Sequence, residues 1–112
     1  MASVALLSVA ACGSGATQPA GSTKVTMTEF KFDPGDLTVA HGKVVFWLVN
    51  AGSVAHDLAI KDSSGNSLAT SELVSAGDSK EFDVDLPAGS YKIVCTQPGH
   101  EASGMKGTLT VT

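Results

Sequence analysis

The sequence predicts an all-β chain, an antiparallel Greek-key β-sandwich of seven to eight strands. Three observations carry that expectation. Short apolar runs are punctuated by Gly, Pro, Asn and Asp throughout residues 24–112, as strands bounded by turns require. Residues Ser79–Leu86 alternate strictly: Phe82, Val84 and Leu86 share one face, and Glu81, Asp83 and Asp85 the other. No segment sustains a helical period, and 112 residues leave room for one sandwich core of about 100 residues and little else.

The elements follow in order. A first strand is expected over residues 25–30, then Phe32 and a turn at Asp33-Pro34-Gly35-Asp36, where Pro and Gly suit the turn dihedrals. Residues 37–39 are short and extended, and Ala40-His41-Gly42 turns the chain. Residues 43–49 (Lys-Val-Val-Phe-Trp-Leu-Val) form a nearly unbroken apolar run, as expected of a central strand. Asn50-Ala51-Gly52-Ser53 ends it, and extended structure resumes over 56–60. Ser63-Ser64-Gly65-Asn66 is a turn, whereas residues 68–74 read as a loop or a short helix. The alternating strand at Ser79–Leu86 presents its carboxylates as a solvated face. Pro87-Ala88-Gly89 then leads into a strand over 90–95, and residues 107–112 close the chain.

Charge narrows the function. Eleven Asp or Glu stand against seven Lys and no Arg, a net charge of −4, which disfavours nucleic acid as a partner because its backbone demands a basic surface, and no nucleic acid is expected. The one continuous apolar stretch, residues 4–11, is far short of the roughly 20 residues that span a bilayer as a helix. It reads as a signal peptide over residues 1–11. It runs into Val9-Ala10-Ala11-Cys12, which resembles the lipobox of bacterial lipoproteins, in which the cysteine is lipidated. No Lys or Arg precedes the run, a departure from the usual signal; the competing reading is an incidental apolar start with a free or disulfide-bonded Cys12. Residues 12–23 carry no large apolar side chain and almost no pattern, the composition of a lipidated, flexible tether. The folded domain is then 24–112, placed outside the cytoplasm of a bacterium, in the periplasm or at the cell surface, and touching the membrane only through Cys12.

The chemistry concentrates in Cys95-Thr96-Gln97-Pro98-Gly99-His100-Glu101-Ala102-Ser103-Gly104-Met105. A thiol, an imidazole and a thioether fall within one loop between two expected strands. Each alone reads blandly: a buried cysteine, a surface histidine, a core methionine. Together, in a Gly/Pro-rich loop with no packing need for two sulfur side chains, they point to a soft metal. Thiolate and thioether suit Cu(I) and imidazole suits Cu(II) as well, so this donor set selects one copper ion. Two His and one Cys with a weak axial Met is the arrangement of electron-transfer copper, and the second histidine is expected to be His56, just after the break at residues 50–53. His41 lies in a glycine turn without partner spacing and reads as a surface residue. The ligands are therefore His56, Cys95, His100 and Met105, and Cys12 has its separate use in the lipobox.

These residues carry a family resemblance. The segment resembles the cupredoxins, or blue copper proteins, of the plastocyanin, auracyanin and azurin type. Cys95-x4-His100-x4-Met105 is similar to the longer form of their final loop, Asn50-x-Gly52-x3-His56 to their upstream motif, and Pro87-Ala88-Gly89-Ser90-Tyr91 to their approach to the site. The resemblance implies that Tyr91 forms a tyrosine corner by bonding back to the backbone. It also implies that His100 reaches the surface within an apolar ring of Val54, Ala55, Pro98, Gly99, Ala102, Gly104 and Met105. Many relatives place Asn after the upstream histidine; here Asp57 stands there, facing Thr96, and a nearby negative charge favours Cu(II).

The expected function is a mononuclear type 1 copper protein, a monomer that passes single electrons between a donor and an acceptor docking transiently near His100. The alternative is a copper-binding lipoprotein for storage, delivery or resistance, whose mark would be Met- or His-rich tracts; three Met and three His are too few. An enzyme is not expected, because only His41 is left for a further metal centre.

Overall fold

The computed structural model describes residues 17–112. The signal segment, Cys12 and the first part of the expected tether lie outside the described residues. The described residues hold nine strands: β1 (Thr23–Thr28), β2 (Lys31–Asp33), β3 (Asp36–Val39), β4 (Gly42–Asn50), β5 (Ala59–Lys61), β6 (Ser67–Thr70), β7 (Ser79–Leu86), β8 (Gly89–Val94) and β9 (Lys106–Val111). They form a four-stranded sheet, β2-β1-β4-β7, and a five-stranded sheet, β3-β9-β8-β5-β6. The expected all-β sandwich is what forms.

β4 organises the first sheet. Val44, Phe46 and Leu48 point into the core between the sheets, while Trp47, on the other face, is also buried. Covered on both faces, the strand needs no polar alternation, and each such buried side chain contributes roughly 1.5–3 kcal/mol. Its partner β7 keeps the alternation: Phe82 and Val84 pack against the core, and Glu81, Asp83 and Asp85 are exposed. Phe46 and Phe82, opposite one another in the register, stack with ring centroids 6.0 Å apart.

Nine strands form among the described residues where seven to eight were expected, and two further details depart from the expected layout. The sheets are mixed, since β1 runs parallel to β4 and β3 parallel to β9. The chain leaves the first sheet after β2 and enters the second at β3, and strand direction is invisible to a period-two pattern. The crossing brings Gly35 against β9: a Cβ on Gly107 would lie 2.2 Å from the Gly35 oxygen, which also accepts the Thr108 N–H at 2.9 Å. The third departure is at residues 68–74, which form no helix. Ser67–Thr70 is an edge strand on β5, held by its backbone and little buried, so it shows no apolar alternation to read.

The registers gather the ends of β1, β4 and β8 with the starts of β5, β7 and β9 at one end of the sandwich. The turn at residues 29–30 and the loops 51–58, 71–78 and 95–105 cluster there. The turns at 40–41, 62–66 and 87–88 lie at the other. There Tyr91 donates its hydroxyl to the Pro87 carbonyl at 2.7 Å, the expected tyrosine corner.

Candidate metal centre

The upstream wall is built by Asn50. Fully buried at the end of β4, its amide donates to the carbonyls of Val54 at 2.8 Å and Val74 at 2.9 Å and accepts the Gly52 N–H at 2.8 Å. The loop is thereby folded over His56, whose backbone forms a two-way bridge with Val74 at 3.1 and 2.8 Å. His56 is 0% exposed. The downstream wall is the loop 95–105, tied shut by the Cys95 N–H on Met105 O at 3.1 Å and the Met105 N–H on His100 O at 3.0 Å.

Between these walls His56 Nδ1 and His100 Nδ1 stand 3.2 Å apart, and Cys95 Sγ lies 3.5 Å from His100 Nδ1 and 3.9 Å from His56 Nδ1. Imidazole nitrogen and thiolate sulfur bind a first-row ion such as zinc at about 2.0 and 2.3 Å, so three of them in a trigonal plane stand roughly 3.5–3.7 Å apart. The donors already sit near those separations, and this donor set with its soft sulfur suits copper. Met105 is fully buried, and its backbone is bonded to two of the three. Burial pushes the Cys95 thiol above its usual pKa, the effect of Asp57 being mixed. The thiol proton is therefore one that an incoming ion must displace.

Asp57 cross-braces the walls. Its Oδ1 accepts the Thr96 N–H at 2.7 Å, and its Oδ2 accepts the Thr96 hydroxyl and, at 3.3 Å, the Gln97 amide. The residue after His56 thus holds the residue after Cys95, as the sequence anticipated. His41 is exposed at the opposite end, its Nδ1 2.9 Å from Thr112 O.

Two contacts escaped the sequence reading, and both come from the β1–β2 turn. Glu29 Oε2 lies 2.7 Å from His56 Nε2, and its Oε1 accepts the Ser53 N–H at 3.0 Å and the Ser53 hydroxyl at 2.8 Å. The Ser53 N–H first, and His56 next, hold the Glu29 carboxyl down at about 2. Gly52 leaves the space: a Cβ there would lie 2.0 Å from Glu29 Oε2. Phe30 meets the His100 ring edge-on, centroids 5.0 Å apart. Nothing in the local pattern marks this pair, because the contacts link residues 27 and 70 positions apart. Met105, expected in the apolar ring at the surface, is buried instead, and the exposed large apolar side chains in the turn and loops at this end are Phe30 at 40%, Val54 at 44% and Leu73 at 47%.

Residues 19–112 match the family described as copper binding proteins, plastocyanin/azurin family. Plastocyanin of Scenedesmus fuscus is 35% identical over 89 residues, covering 71% of this chain and 85% of that protein. Auracyanin-B of Chloroflexus aurantiacus is 50% identical over 48 residues, 42% of this chain but only 20% of that relative's length. A solved auracyanin B structure superposes with a TM-score of 0.74 at 26% identity, covering 87% of this chain and 92% of the other. The chain belongs to the plastocyanin/azurin family of copper-binding proteins, and the His56, Cys95 and His100 cluster is the place for a single copper ion.

Proposed function

We propose that this member of the plastocyanin/azurin family carries single electrons between protein partners, and that His56 Nδ1, Cys95 Sγ and His100 Nδ1, together with Met105, would hold one copper ion. The observation that carries the proposal is the convergence of those three atoms within 3.2–3.9 Å on braced walls. Bound there, copper supplies a reversible one-electron couple. The residues keep the cage fixed: Asn50 and Asp57 lock the loops, and burial of Cys95 and His56 excludes water from the sulfur side. A cage that need not move favours transfer of an electron over release of the ion, and so favours the carrier over the storage and delivery alternative. Catalysis is not part of this reading, since His41, the one remaining histidine, stands at the far end.

His100 is the exit. It is partly exposed, with Phe30 against its ring and Pro98, Gly99 and Ala102 exposed in its own loop, an apolar surface suited to the small transient contacts of redox partners. Ala102→Glu should slow electron exchange with a partner and leave the colour intact; unchanged rates would move the exit elsewhere. An extracytoplasmic location in a bacterium with Cys12 lipidated completes the proposal, supported by Val9-Ala10-Ala11-Cys12. Mass spectrometry of the mature protein finding Cys12 unmodified would remove the anchor.

The central test is spectroscopic. One equivalent of Cu(II) should produce an intense visible band from thiolate charge transfer, and Cys95→Ser should abolish it without unfolding the domain. Reduction should bleach the band with copper still bound, and reoxidation restore it. Absence of a strong band would overturn the site, and loss of copper on reduction would favour the storage and delivery alternative.

A further inference from the structure

The two imidazoles have unlike outer neighbours. His100 meets the edge of Phe30, whereas His56, fully buried, meets a carboxylate at 2.7 Å. That carboxylate is itself gripped. Ser53 donates both its N–H and its hydroxyl to Glu29, and Gly52 provides the gap the carboxylate occupies. The side chain is 27% exposed, so its charge is only partly met by water. Glu29 thus reaches from the β1–β2 turn into the loop 50–56, beyond the backbone bond that Met27 O accepts from the Ala51 N–H at 2.9 Å.

We propose that Glu29 is a positioning residue for the copper couple: it holds the His56 proton on Nε2, aims Nδ1 at the other donors, and biases the site toward Cu(II). The inference deepens the proposed function and rests on it for the last of these three effects. A carboxylate accepts and cannot donate, so a hydrogen bond from His56 to Glu29 fixes the proton on Nε2 and leaves the Nδ1 lone pair facing Cys95 and His100. An anionic acceptor also pushes electron density through the ring and makes the ligating nitrogen a stronger donor to the metal. A fixed negative charge behind one ligand favours the ion with the larger positive charge. His100 has no such support from Phe30, so the two nitrogens differ in donor strength although their residue type is the same.

Two readouts test this. In the metal-free wild-type protein, nitrogen NMR should find His56 protonated on Nε2, with that proton slow to exchange. In Glu29→Ala the ring should lose this fixed tautomer. In the copper-loaded protein, Glu29→Gln keeps an acceptor oxygen but loses the charge. The band should remain, and the relative affinity for Cu(I) over Cu(II) should rise about tenfold, an upward shift in potential of about 59 mV for one electron. Asp85→Asn at the far end of β7 is the charge control and should move it by less than twofold. A wild-type proton on Nδ1, or a Glu29→Gln potential that falls or matches the Asp85→Asn control, would overturn the inference. If the wild-type protein showed no blue band, the proposed function would fail, and the tautomer of His56 would still decide the positioning role.

Discussion

The two histidines of the metal centre sit 4.9 Å apart, centroid to centroid, and have little else in common. His56 belongs to a region where nearly every polar group is already spoken for. Its backbone is bridged to Val74, its ring nitrogen to Glu29, and its loop is laced by the Asn50 amide. His100 belongs to a loop of tight turns whose side chains mostly face solvent, with an aromatic edge for a neighbour. The contrast teaches how a small sandwich reconciles two demands. One wall must be rigid enough to preform the cage, and the other, on the proposed function, must bring a ligand close enough to the surface for an electron to leave. Rigidity is placed where strands end in hydrogen-bonded loops, and access where the loop is long and rich in glycine.

The largest effect should come from deleting each imidazole in turn. His56→Gly empties a buried position and strips Glu29 of its ring partner, so it should cost the metal-free domain about 2–4 kcal/mol in urea denaturation. His100→Gly, in a partly exposed loop, should cost less than about 1 kcal/mol. Added imidazole should restore the visible band of the His100 variant, whose gap opens to solvent, and not that of the His56 variant. Equal stability losses, or equal rescue, would break the division between a buried wall and an open one.

A smaller effect sharpens the buried side alone. Asn50→Ala removes three hydrogen bonds inside a side chain that is 1% exposed and leaves the Gly52 N–H and the Val54 carbonyl to find new partners. We expect a loss of about 2–3 kcal/mol. Amide hydrogen exchange should accelerate across residues 51–56 more than across 95–105. If both loops loosen together, the walls are one cooperative unit.

The same contrast explains what the sequence disclosed. The donor-rich loop was legible because its chemistry is local: a thiol, an imidazole and a thioether within eleven residues have few structural reasons to coincide. The strict alternation of Ser79–Leu86 and the apolar run of β4 were legible because burial on one face or two leaves its own period. His56 was legible from its place after the strand break at 50–53 and from the resemblance of the Asn50-x-Gly52-x3-His56 segment, and Asp57 followed from the latter. Glu29 and Phe30 were not legible, since a turn between two short strands gives no sign of which loop it will touch. The edge strand β6 was missed for a related reason. Its side chains bury little, and backbone pairing leaves no mark on residue choice. Parallel pairing of β1 with β4 and β3 with β9 was hidden because alternation carries no direction.

The smallest effect should come from the far end of the sandwich and serves to bound the comparison. Tyr91 packs its ring in the core and donates its hydroxyl to Pro87 O at 2.7 Å, at the opposite end from both histidines. Tyr91→Phe keeps the ring and removes one neutral hydrogen bond, and because Pro87 is exposed, water can take over its carbonyl. The loss should therefore lie at the low end for a hydrogen bond, about 0.5–1 kcal/mol in urea denaturation. Because β8 carries Tyr91 and ends at Val94, directly before Cys95, it is the path by which a distortion there would reach the sulfur. The backbone pairing of β8 with β5 and β9 on either side argues that none does. The visible band and the potential of Tyr91→Phe should match wild type. A shift in either would mean that the strand transmits strain from one end to the other, and that the metal end cannot be treated as a region of its own.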